Sequence, residues 1–381
     1  MAPKAEPPAG GQAGETGPPA PGDRPALGGR PASPLRSGFS TGTAASAAAL
    51  AAALALKTGR LPEEVLVRLP KGKQLTIPLF EGTIQKSIQT AVIKDAGDDP
   101  DVTNQARIGV ILEEGPPGLS LAGGSGVGLV TKPGLVIPPG EWAINPVPRW
   151  MIQENLAPFL KETGLRVTVF VRDGEKLALK TLNPKLGIIG GLSILGTTGL
   201  VKPFSHSAYV AAIESALSVA RALGLTEVVL TTGGRSEELA RLSRPDLPEE
   251  ALVQIADYFQ AALSRCAKMG FETIGLAVFF GKAVKQAAGC ACTHAHKNEM
   301  DLAALAQWLE GFPPGLCAEI AASPTALAAL DVLKARGQTA AVPLVARKML
   351  ESARRFAGGR PKLWARIYDF DGRTLALEES F

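Results

Sequence analysis

The apolar and polar positions of the first half of the chain predict a mixture of helices and strands. An alanine-rich run predicts a buried amphipathic helix from Gly42 to about Leu56. A second helix is predicted near residues 148–163, and strand-like runs lie at residues 65–69, 74–79, 90–94, 107–113, 166–172 and 176–181. Turn residues at 71–73 and 173–174 would join two pairs of strands as hairpins. We therefore predict an α+β domain over residues 36–182.

From Asn183 onward the pattern changes to strand, helix, strand, helix. Short apolar strands are predicted at residues 186–189, 227–231 and 273–279, each followed by a glycine-containing turn and a helical stretch. This alternation predicts a mainly parallel sheet with right-handed crossovers, so the fold class is α/β, with a Rossmann-like domain over residues 183–381. Ligands of such sheets bind at the carboxyl ends of the strands, where we expect segments 190–191, 196–199, 233–234 and 281–282.

Composition narrows the class of protein. Residues 1–35 are rich in Pro, Gly and Ala, which predicts a disordered tail without the apolar centre of a signal peptide. No apolar run reaches the roughly 18 to 20 residues of a membrane span. The net charge of +4 is small and the basic residues are scattered, which argues against nucleic-acid binding. Only four cysteines occur, so we expect a reducing, cytoplasmic location.

The most informative segment is the run Gly-Gly-Ser-Gly-Val-Gly at residues 123–128. Four glycines in six positions let a ligand approach the backbone N–H groups at little conformational cost, although a tight turn between strands uses the same residues. Lys132, Asn145 and Arg149 follow within a segment rich in Pro and Gly. These cationic and polar groups suit an anionic or zwitterionic ligand, and a plain turn needs none of them.

Four segments in the same order along the chain resemble those of one enzyme family. They are Arg-Ser-Gly-Phe-Ser-Thr-Gly-Thr-Ala-Ala at residues 36–45, Val-Ile-Lys-Asp-Ala-Gly-Asp-Asp-Pro-Asp-Val-Thr at 92–103, the glycine run, and Leu-Asn-Pro-Lys-Leu-Gly-Ile-Ile-Gly-Gly-Leu-Ser-Ile-Leu-Gly-Thr-Thr-Gly at 182–199. Together they resemble the CbiD family, the cobalt-precorrin-5B (carbon-1) methyltransferases of anaerobic cobalamin biosynthesis. The likeness extends over residues 36–207, and Thr293-His294 matches a Thr-His pair of the family.

The resemblance implies two α/β-type domains and a C-methyltransferase that converts cobalt-precorrin-5B to cobalt-precorrin-6A. The implied cofactor is S-adenosyl-L-methionine, and the implied partner is the cobalt-containing tetrapyrrole substrate. The cobalt belongs to that substrate, so we expect no metal bound by the protein. The modest positive charge suits a polyanionic corrinoid. We expect no nucleic-acid or membrane partner, and the sequence leaves the oligomeric state open, a homo-oligomer included.

Candidate site residues come from these motifs and their flanks. The glycine-rich segments are candidates for cofactor binding, with two threonines as hydroxyl donors: Gly123, Gly124, Gly126, Gly128, Gly196, Thr197 and Thr198. Hydroxyl, amide, cationic and imidazole groups are candidates for substrate binding: Thr41, Thr43, Lys132, Asn145, Arg149, Lys202, His206 and His294.

An acidic cluster follows a predicted strand at Asp95, Asp98, Asp99 and Asp101. One interpretation is a solvated turn, because Asp-Asp-Pro is a common way to begin one. The other is functional, with a carboxylate that accepts a hydrogen bond from a ribose or ammonium group, or removes a proton from the macrocycle. Asp95 and Asp98 are the candidates for catalysis because they flank a glycine.

Several positions depart from the family pattern. Ala44 stands where the family often has a cysteine, so a mechanism needing a thiolate there is excluded. The stretches at residues 232–235 and 289–297 also differ. The second contains Cys290, Cys292, His294 and His296, whose alternation on a strand would separate neighbouring ligands by nearly 7 Å and lacks the usual zinc spacings. We expect a buried cysteine and a capping or ligand-facing histidine there.

Two other classes of function remain open at this level. The glycine run in an α+β domain is also typical of the phosphate loop of small-molecule kinases, but such a loop leads into a helix, and Thr-Lys-Pro-Gly follows here. The divergent second half is compatible with a non-catalytic corrinoid-binding protein.

Overall fold

The structure is a computed structural model that describes residues 34–161, 163–294, 300–309, 311–313 and 315–380. The predicted tail, residues 1–35, lies outside the described residues except for its last two. The first half contains, in order, β1 (Gly38–Phe39), α1 (Thr41–Thr58), β2 (Glu64–Arg68), β3 (Gln74–Pro78), β4 (Glu81–Ile84), β5 (Ile88–Ile93), β6 (Arg107–Gly115), β7 (Leu119–Gly123), β8 (Gly126–Val127), β9 (Leu129–Val130), α2 (Pro146–Leu156), β10 (Gly164–Val171), α3 (Gly174–Ala178), β11 (Ile188–Ile189), β12 (Gly191–Leu192) and β13 (Leu200–Val201).

The second half is built from longer alternating elements. It contains α4 (His206–Ala222), β14 (Glu227–Thr231), α5 (Gly234–Ser243), β15 (Leu252–Gln254), α6 (Phe259–Lys268), β16 (Thr273–Phe279), α7 (Phe280–Ala287), α8 (Leu302–Trp308), α9 (Leu316–Ala321), α10 (Ala326–Ala335), α11 (Ala341–Ala357), β17 (Lys362–Tyr368) and β18 (Thr374–Ser380).

A five-stranded sheet in the order β4-β5-β6-β10-β7 organises the first half. Its strands are antiparallel except for the parallel pair β10 and β7, and the register sets Thr90 opposite Val110 and Val110 opposite Val169. The predicted hairpin of β2 and β3 is present, with Lys71 in the left-handed region (φ 62°) at its turn. The strands predicted at residues 90–94, 107–113 and 166–172 are thereby confirmed.

The helix α1 lies at the centre of this half. Ser40 caps its first turn by accepting a hydrogen bond from the backbone N–H of Thr43, and Gly59 ends it in the left-handed conformation. Residues 41–49 are all buried. The helix is therefore buried, as predicted, but it is enclosed on all sides and not amphipathic. Its small alanine side chains allow this close approach, and Thr90 of β5 reaches the carbonyl oxygen of Ala48 at 2.7 Å.

The prediction of a strand at residues 176–181 is wrong, because the chain forms the short helix α3 there. A Cβ added at Gly174 would lie only 2.2 Å from the carbonyl oxygen of Gly126. Glu175 also accepts a hydrogen bond from the N–H of Gly126 at 2.8 Å. Contacts with this distant backbone, which a local pattern does not contain, turn the chain into a helix. The helix predicted at 148–163 is α2, and it ends earlier, at Leu156.

The second half contains a sheet in the order β15-β14-β16-β17-β18, in which the first four strands are parallel and β18 is antiparallel. The predicted parallel sheet and the α/β fold class are thereby confirmed. Val228, Leu230 and Leu276 face a core formed with α4, α6, α7 and α11. Val229 and Ala277 face the opposite side, where α5 contributes Ala240.

Residues 186–189 do not join the parallel sheet as predicted. Only β11 forms there, and it pairs with β9 in the first half. Leu192 and Ile194 belong to the core around α1, and β13 pairs with β1. Segments 190–191 and 196–199 therefore lie in the first half, and only segments 233–234 and 281–282 follow strands of the parallel sheet. The domain boundary after residue 182 stays a prediction, although the chain up to Val201 packs with the first core.

Candidate active site

The glycine run at residues 123–128 is packed against the protein's own backbone and rings. A Cβ added at Gly126 would lie 2.0 Å from the carbonyl oxygen of Val171, and one at Gly123 would lie 2.7 Å from the Trp142 ring. Corresponding distances are 3.0 Å from a side-chain methyl at Gly124 and 2.4 Å at Gly128. Close packing therefore accounts for these glycines, and their role in cofactor binding stays a prediction.

The same run leads into strands and not into a helix. The strand β8 pairs in parallel with β12, and β9 pairs with β11. A phosphate loop needs the N-terminus of a following helix to hold the anion. Because strands follow the glycine run here, the structure does not support the kinase alternative.

Two of the cationic residues that were predicted to bind the substrate have partners inside the protein. Lys132 forms an ion pair with Glu250 at 2.5 Å, and its hydrogen bond lowers the pKa of the Glu250 carboxyl. Arg149 donates to the carbonyl oxygen of Ile144 at 2.7 Å and pairs with Glu141 at 3.2 Å. Lys202 is exposed. Lys132 and Arg149 thus stabilise loops, while Lys202 is accessible to solvent.

The predicted catalytic carboxylates bind Arg36 of the first motif. The guanidinium of Arg36 donates two hydrogen bonds to Asp95, one of them 3.0 Å long, and its backbone N–H donates to Asp98 at 2.6 Å. The N–H of Gly97 donates to Asp95 at 2.8 Å. The Arg36 hydrogen bond lowers the pKa of Asp95 below its ordinary value. A carboxylate held in this way is a weak base, and its catalytic role stays a prediction.

The structure brings together several predicted residues at the N-termini of α1 and α2. The hydroxyl of Thr43 donates to the carbonyl oxygen of Gly199 at 2.6 Å. The hydroxyl of Thr41 accepts from the N–H of Leu195 at 2.8 Å. Asn145, the N-cap residue of α2, donates its N–H to Ile194 at 2.9 Å. The buried hydroxyls of Thr41 and Thr43 thus hold the loop at residues 195–199 in place.

A shallow, open cleft of about 420 Å³ with a mostly apolar lining lies beside this loop. It is lined by Pro70, Lys71, Pro146, Val147, Trp150 and Thr197. Trp150 is 41% exposed, a large fraction for a tryptophan. We call this surface the Trp150 cleft. Thr197, which was predicted to bind the cofactor, lies in the lining of this cleft. The apolar part of the lining could contact an apolar ring face.

A second candidate surface lies at the carboxyl edge of the parallel sheet. The strand order sets β14 between β15 and β16, and the chain leaves β14 toward α5 on one face and β16 toward α7 on the other. Open α/β sheets bind ligands in the crevice where the connections diverge in this manner. We call the segments that follow β14, β15 and β16 the switch-point crevice: residues 232–234, residues 255–258, and residues 281–282 in the first turn of α7.

Charged and hydroxyl groups converge in the switch-point crevice. Lys282 forms an ion pair with Asp257, and the hydroxyl of Thr293 donates to the same carboxylate at 2.8 Å. Burial disfavours the charged form of Asp257, but the Lys282 hydrogen bond and charge outweigh it and lower the pKa of Asp257. The Asp257 carboxylate is therefore ionised at neutral pH.

Two predicted histidines lie beside this ion pair. The His206 ring contacts Tyr258 edge to face, with ring centroids 4.6 Å apart. His294 is near enough to favour the ionised form of Asp257 electrostatically. His296 lies outside the described residues. The structure thus brings His206 and His294 to one edge, which the sequence pattern did not predict.

Cys290 and Cys292 are half-buried thiols, and burial raises the pKa of Cys290. In the part of the chain that the structure describes, no three His, Cys, Asp or Glu side chains form a metal-binding group. Among the described helices, none combines the length and apolar character needed to cross a membrane.

Asp257 and Trp150 are candidate site residues that sequence reasoning missed, and Lys282 was predicted only as part of segment 281–282. The signal for Asp257 was an acidic residue shortly after the apolar stretch Leu-Val-Gln-Ile at residues 252–255. The strand there is only three residues long, which is why the pattern did not reveal it.

Comparison with known proteins assigns the family. The family model CbiD matches residues 29–203, and CbiD, C-terminal domain, matches residues 292–379. A relative from Geobacillus kaustophilus (strain HTA426) named cobalt-precorrin-5B C(1)-methyltransferase is 41% identical over 90% of this chain and 94% of its own length. One of the same name from Pseudomonas fluorescens (strain Pf0-1) is 44% identical over 84% of this chain and 90% of its own.

A solved structure from Archaeoglobus fulgidus, described as cobalamin biosynthesis protein (cbiD), is 31% identical over 65% of this chain and 78% of that chain, with a TM-score of 0.38. The relatives form a class of C-methyltransferases by name. The chain belongs to the CbiD family, which confirms the resemblance of its motifs.

Proposed function

We propose that this protein transfers a methyl group to carbon 1 of cobalt-precorrin-5B, giving cobalt-precorrin-6A, with S-adenosyl-L-methionine as donor. The observation that carries the proposal is 41% identity over 90% of the chain to proteins named for this reaction. The alignment spans 94% of the length of the Geobacillus relative, so both halves of the protein take part in the likeness.

In this proposal the macrocycle binds at the Trp150 cleft. Its lining is mostly apolar, which suits one face of a tetrapyrrole ring, and Lys71 in its lining supplies a cation for a peripheral carboxylate. Thr41 and Thr43 hold the loop that carries Thr197 and so shape one wall. We propose that Lys202 and the two histidines contact further polar groups of the substrate.

The carboxylates and glycines of the first half take a supporting role in this proposal. Asp95 and Asp98 anchor Arg36 and with it the segment leading into α1. The glycines at residues 123–128 permit strand crossing. They affect catalysis through the shape of the cleft and not through proton transfer.

Residues of the switch-point crevice fit a nucleoside-bearing methyl donor. Gly233 and Gly234 leave open space beside the backbone. Nearby Glu237 pairs with Lys185 through its Oε1 atom at 2.7 Å, while its Oε2 atom is buried without a hydrogen-bond partner among the described residues. Asp257 adds an ionised carboxylate. Carboxylate oxygens accept hydrogen bonds from ribose hydroxyls and ammonium groups. Gly233, Gly234, Glu237 and Asp257 would therefore hold the donor.

When bound, S-adenosyl-L-methionine supplies a methyl group that takes an electron pair from the ring carbon, while its sulfur keeps the pair of the broken bond. The protein needs no nucleophile for this transfer. Its residues have to hold two reactants in line and exclude water, and orientation of this kind contributes up to about 7–11 kcal/mol. Trp150 and the prolines of the cleft serve exclusion of water, and the crevice loops serve orientation.

The direct test is an anaerobic assay with cobalt-precorrin-5B and S-adenosyl-L-methionine carrying a ¹³C methyl group. We expect one labelled methyl on carbon 1, located by NMR, and one equivalent of S-adenosylhomocysteine. Label on another carbon would contradict the regiochemistry. Donor binding without transfer to the macrocycle would instead favour the non-catalytic alternative.

A further inference from the structure

In the described part of the chain, neither backbone conformation nor crowding requires Gly233 and Gly234 to be glycine. Gly233 has an extended backbone (φ 170°, ψ 176°), which any residue adopts, and a Cβ at either position would meet no atom within 4 Å. Every other glycine in the described part of the chain has a left-handed φ or a neighbouring atom within that distance. Gly233 is the N-cap residue of α5, a position that favours glycine. A ligand that approaches the backbone there would account for both glycines.

These glycines lie where the fold favours a ligand. They follow Thr231 at the end of β14, and across the crevice Phe280 and Gly281 follow the end of β16. A Cβ at Gly281 would make only an ordinary contact, 3.5 Å from the Ala326 methyl. Gly233 and Gly234 therefore border the switch point on one side, and the first turn of α7 borders it on the other.

The Asp257–Lys282 pair joins the segments that follow β15 and β16, the two strands flanking β14, and is accessible to a ligand. The side chains are 21% and 34% exposed, respectively. The bonds from Lys282 and Thr293 both end on the Oδ1 atom of Asp257, so in the described part of the chain Oδ2 is available as an acceptor. Lys282 has two further N–H groups, and among the described residues these make only long contacts of 3.4 Å to Thr293.

We infer that the Asp257–Lys282 pair recognises the zwitterionic amino-acid end of the methyl donor, an assignment that rests on the proposed function. Asp257 accepts hydrogen bonds from the ligand's ammonium group, and Lys282 donates to its carboxylate. A ligand with both charges on one carbon replaces the internal pair without leaving either side chain uncompensated. The open backbone at Gly233 and Gly234 admits the remainder of the donor.

Two nucleosides that share a thioether and adenosine separate this recognition from binding of the nucleoside. S-adenosylhomocysteine carries the amino-acid end, and 5′-methylthioadenosine lacks it. By titration calorimetry on the full-length protein, we expect S-adenosylhomocysteine to bind at least tenfold more tightly. Lys282→Met and Asp257→Asn should each remove most of this preference, a loss of roughly ten- to hundredfold for a charged hydrogen bond. Binding of 5′-methylthioadenosine should change less than threefold.

Lys334→Met is the matched control, because Lys334 forms another lysine–aspartate pair, with Asp369, after a strand of the same sheet. This variant should keep the wild-type preference. Gly233→Ala provides a second test, which separates ligand binding from a structural role. We expect an unchanged melting temperature, since there is room for the methyl group. We also expect weaker binding of both nucleosides.

The outcomes separate this inference from the proposed function. Equal affinity of the wild-type protein for the two nucleosides would overturn the inference and leave the methyltransferase proposal standing. Retention of the preference by folded Lys282→Met and Asp257→Asn variants would also overturn it. Failure of the wild-type protein to bind either nucleoside would contradict the proposed donor, and the inference with it.

Discussion

Lys94 donates a hydrogen bond to Asp101 at 2.8 Å, and the lysine side chain is only 1% exposed. Asp101 also accepts from the backbone N–H and the hydroxyl of Thr103 at 2.7 Å. Burial disfavours ionisation of Asp101, but Lys94 and Thr103 outweigh it and lower its pKa. The second sequence motif is thus held by an ion pair whose lysine is buried.

Replacement of Asp101 by Asn should destabilise the protein by about 3–5 kcal/mol, because it leaves the buried Lys94 without its counter-charge. Urea denaturation at pH 7 measures the change. Asp173→Asn is the control, since Asp173 is an exposed residue paired only with Lys176 across one helical turn, and we expect it to change stability little. Equal effects of the two variants would show that the ion pair has no special role.

Stability should fall in acid as these aspartates are protonated. The pKa values of Asp95, Asp101 and Asp257 are lower in the folded protein, so their contribution is full above the ordinary value of about 3.9 and is lost as pH falls below it. Thermal melts between pH 7 and pH 2 measure this dependence. Asp101→Asn should flatten the acid limb, and a limb as steep as in the wild type would contradict the assignment.

Asp95→Asn should keep most of the activity of the enzyme. We expect kcat to fall less than tenfold, because the carboxylate is bound to Arg36 and Gly97 and acts by holding the chain. Loss of a general base would instead reduce kcat by about 10²–10⁴-fold. Steady-state kinetics distinguish the two roles, and a loss in the larger range would establish Asp95 as a base.

Trp150→Ala should raise KM for the macrocycle about tenfold and leave the melting temperature nearly unchanged, because the ring is 41% exposed and contributes an apolar contact of about 1–3 kcal/mol to the ligand. Phe80→Ala is the matched control, since this ring in the same half is 44% exposed and lies outside the cleft. Substrate kinetics for both variants provide the measurement, and identical KM values would place the macrocycle elsewhere.

Gly126→Ala should destabilise the fold by about 1–3 kcal/mol or more, because Gly126 has a left-handed φ of 72° and its Cβ would collide with the carbonyl of Val171. Gly234→Ala, at the first position of α5, should leave stability unchanged or raise it by about 0.4–1 kcal/mol. Denaturation of the two variants compares a glycine required by packing with one that is not. Equal stability would contradict this distinction.

Local pattern predicted much of the fold correctly. The alanine run and its Ser40 cap produce α1. The apolar runs at residues 227–231 and 273–279 produce β14 and β16, whose observed bounds equal the predicted ones. Pattern failed at residues 176–181, where contact with Gly126 selects a helix. It failed again at residues 186–189, where two strand residues pair with β9 and not with the parallel sheet.

The sequence by itself determined the family, the alternation of strands and helices in the second half, and the segments in which site residues lie. These follow from motifs and from hydrophobic periodicity, which are local properties. Only the tertiary structure decided that the protein itself fills the space beside the glycine run, and that Asp257 pairs with Lys282. The physical reason is that a glycine in the sequence does not show whether a neighbouring backbone or a ligand occupies the space of its absent side chain. The order of the strands in the fold determines which of the two does.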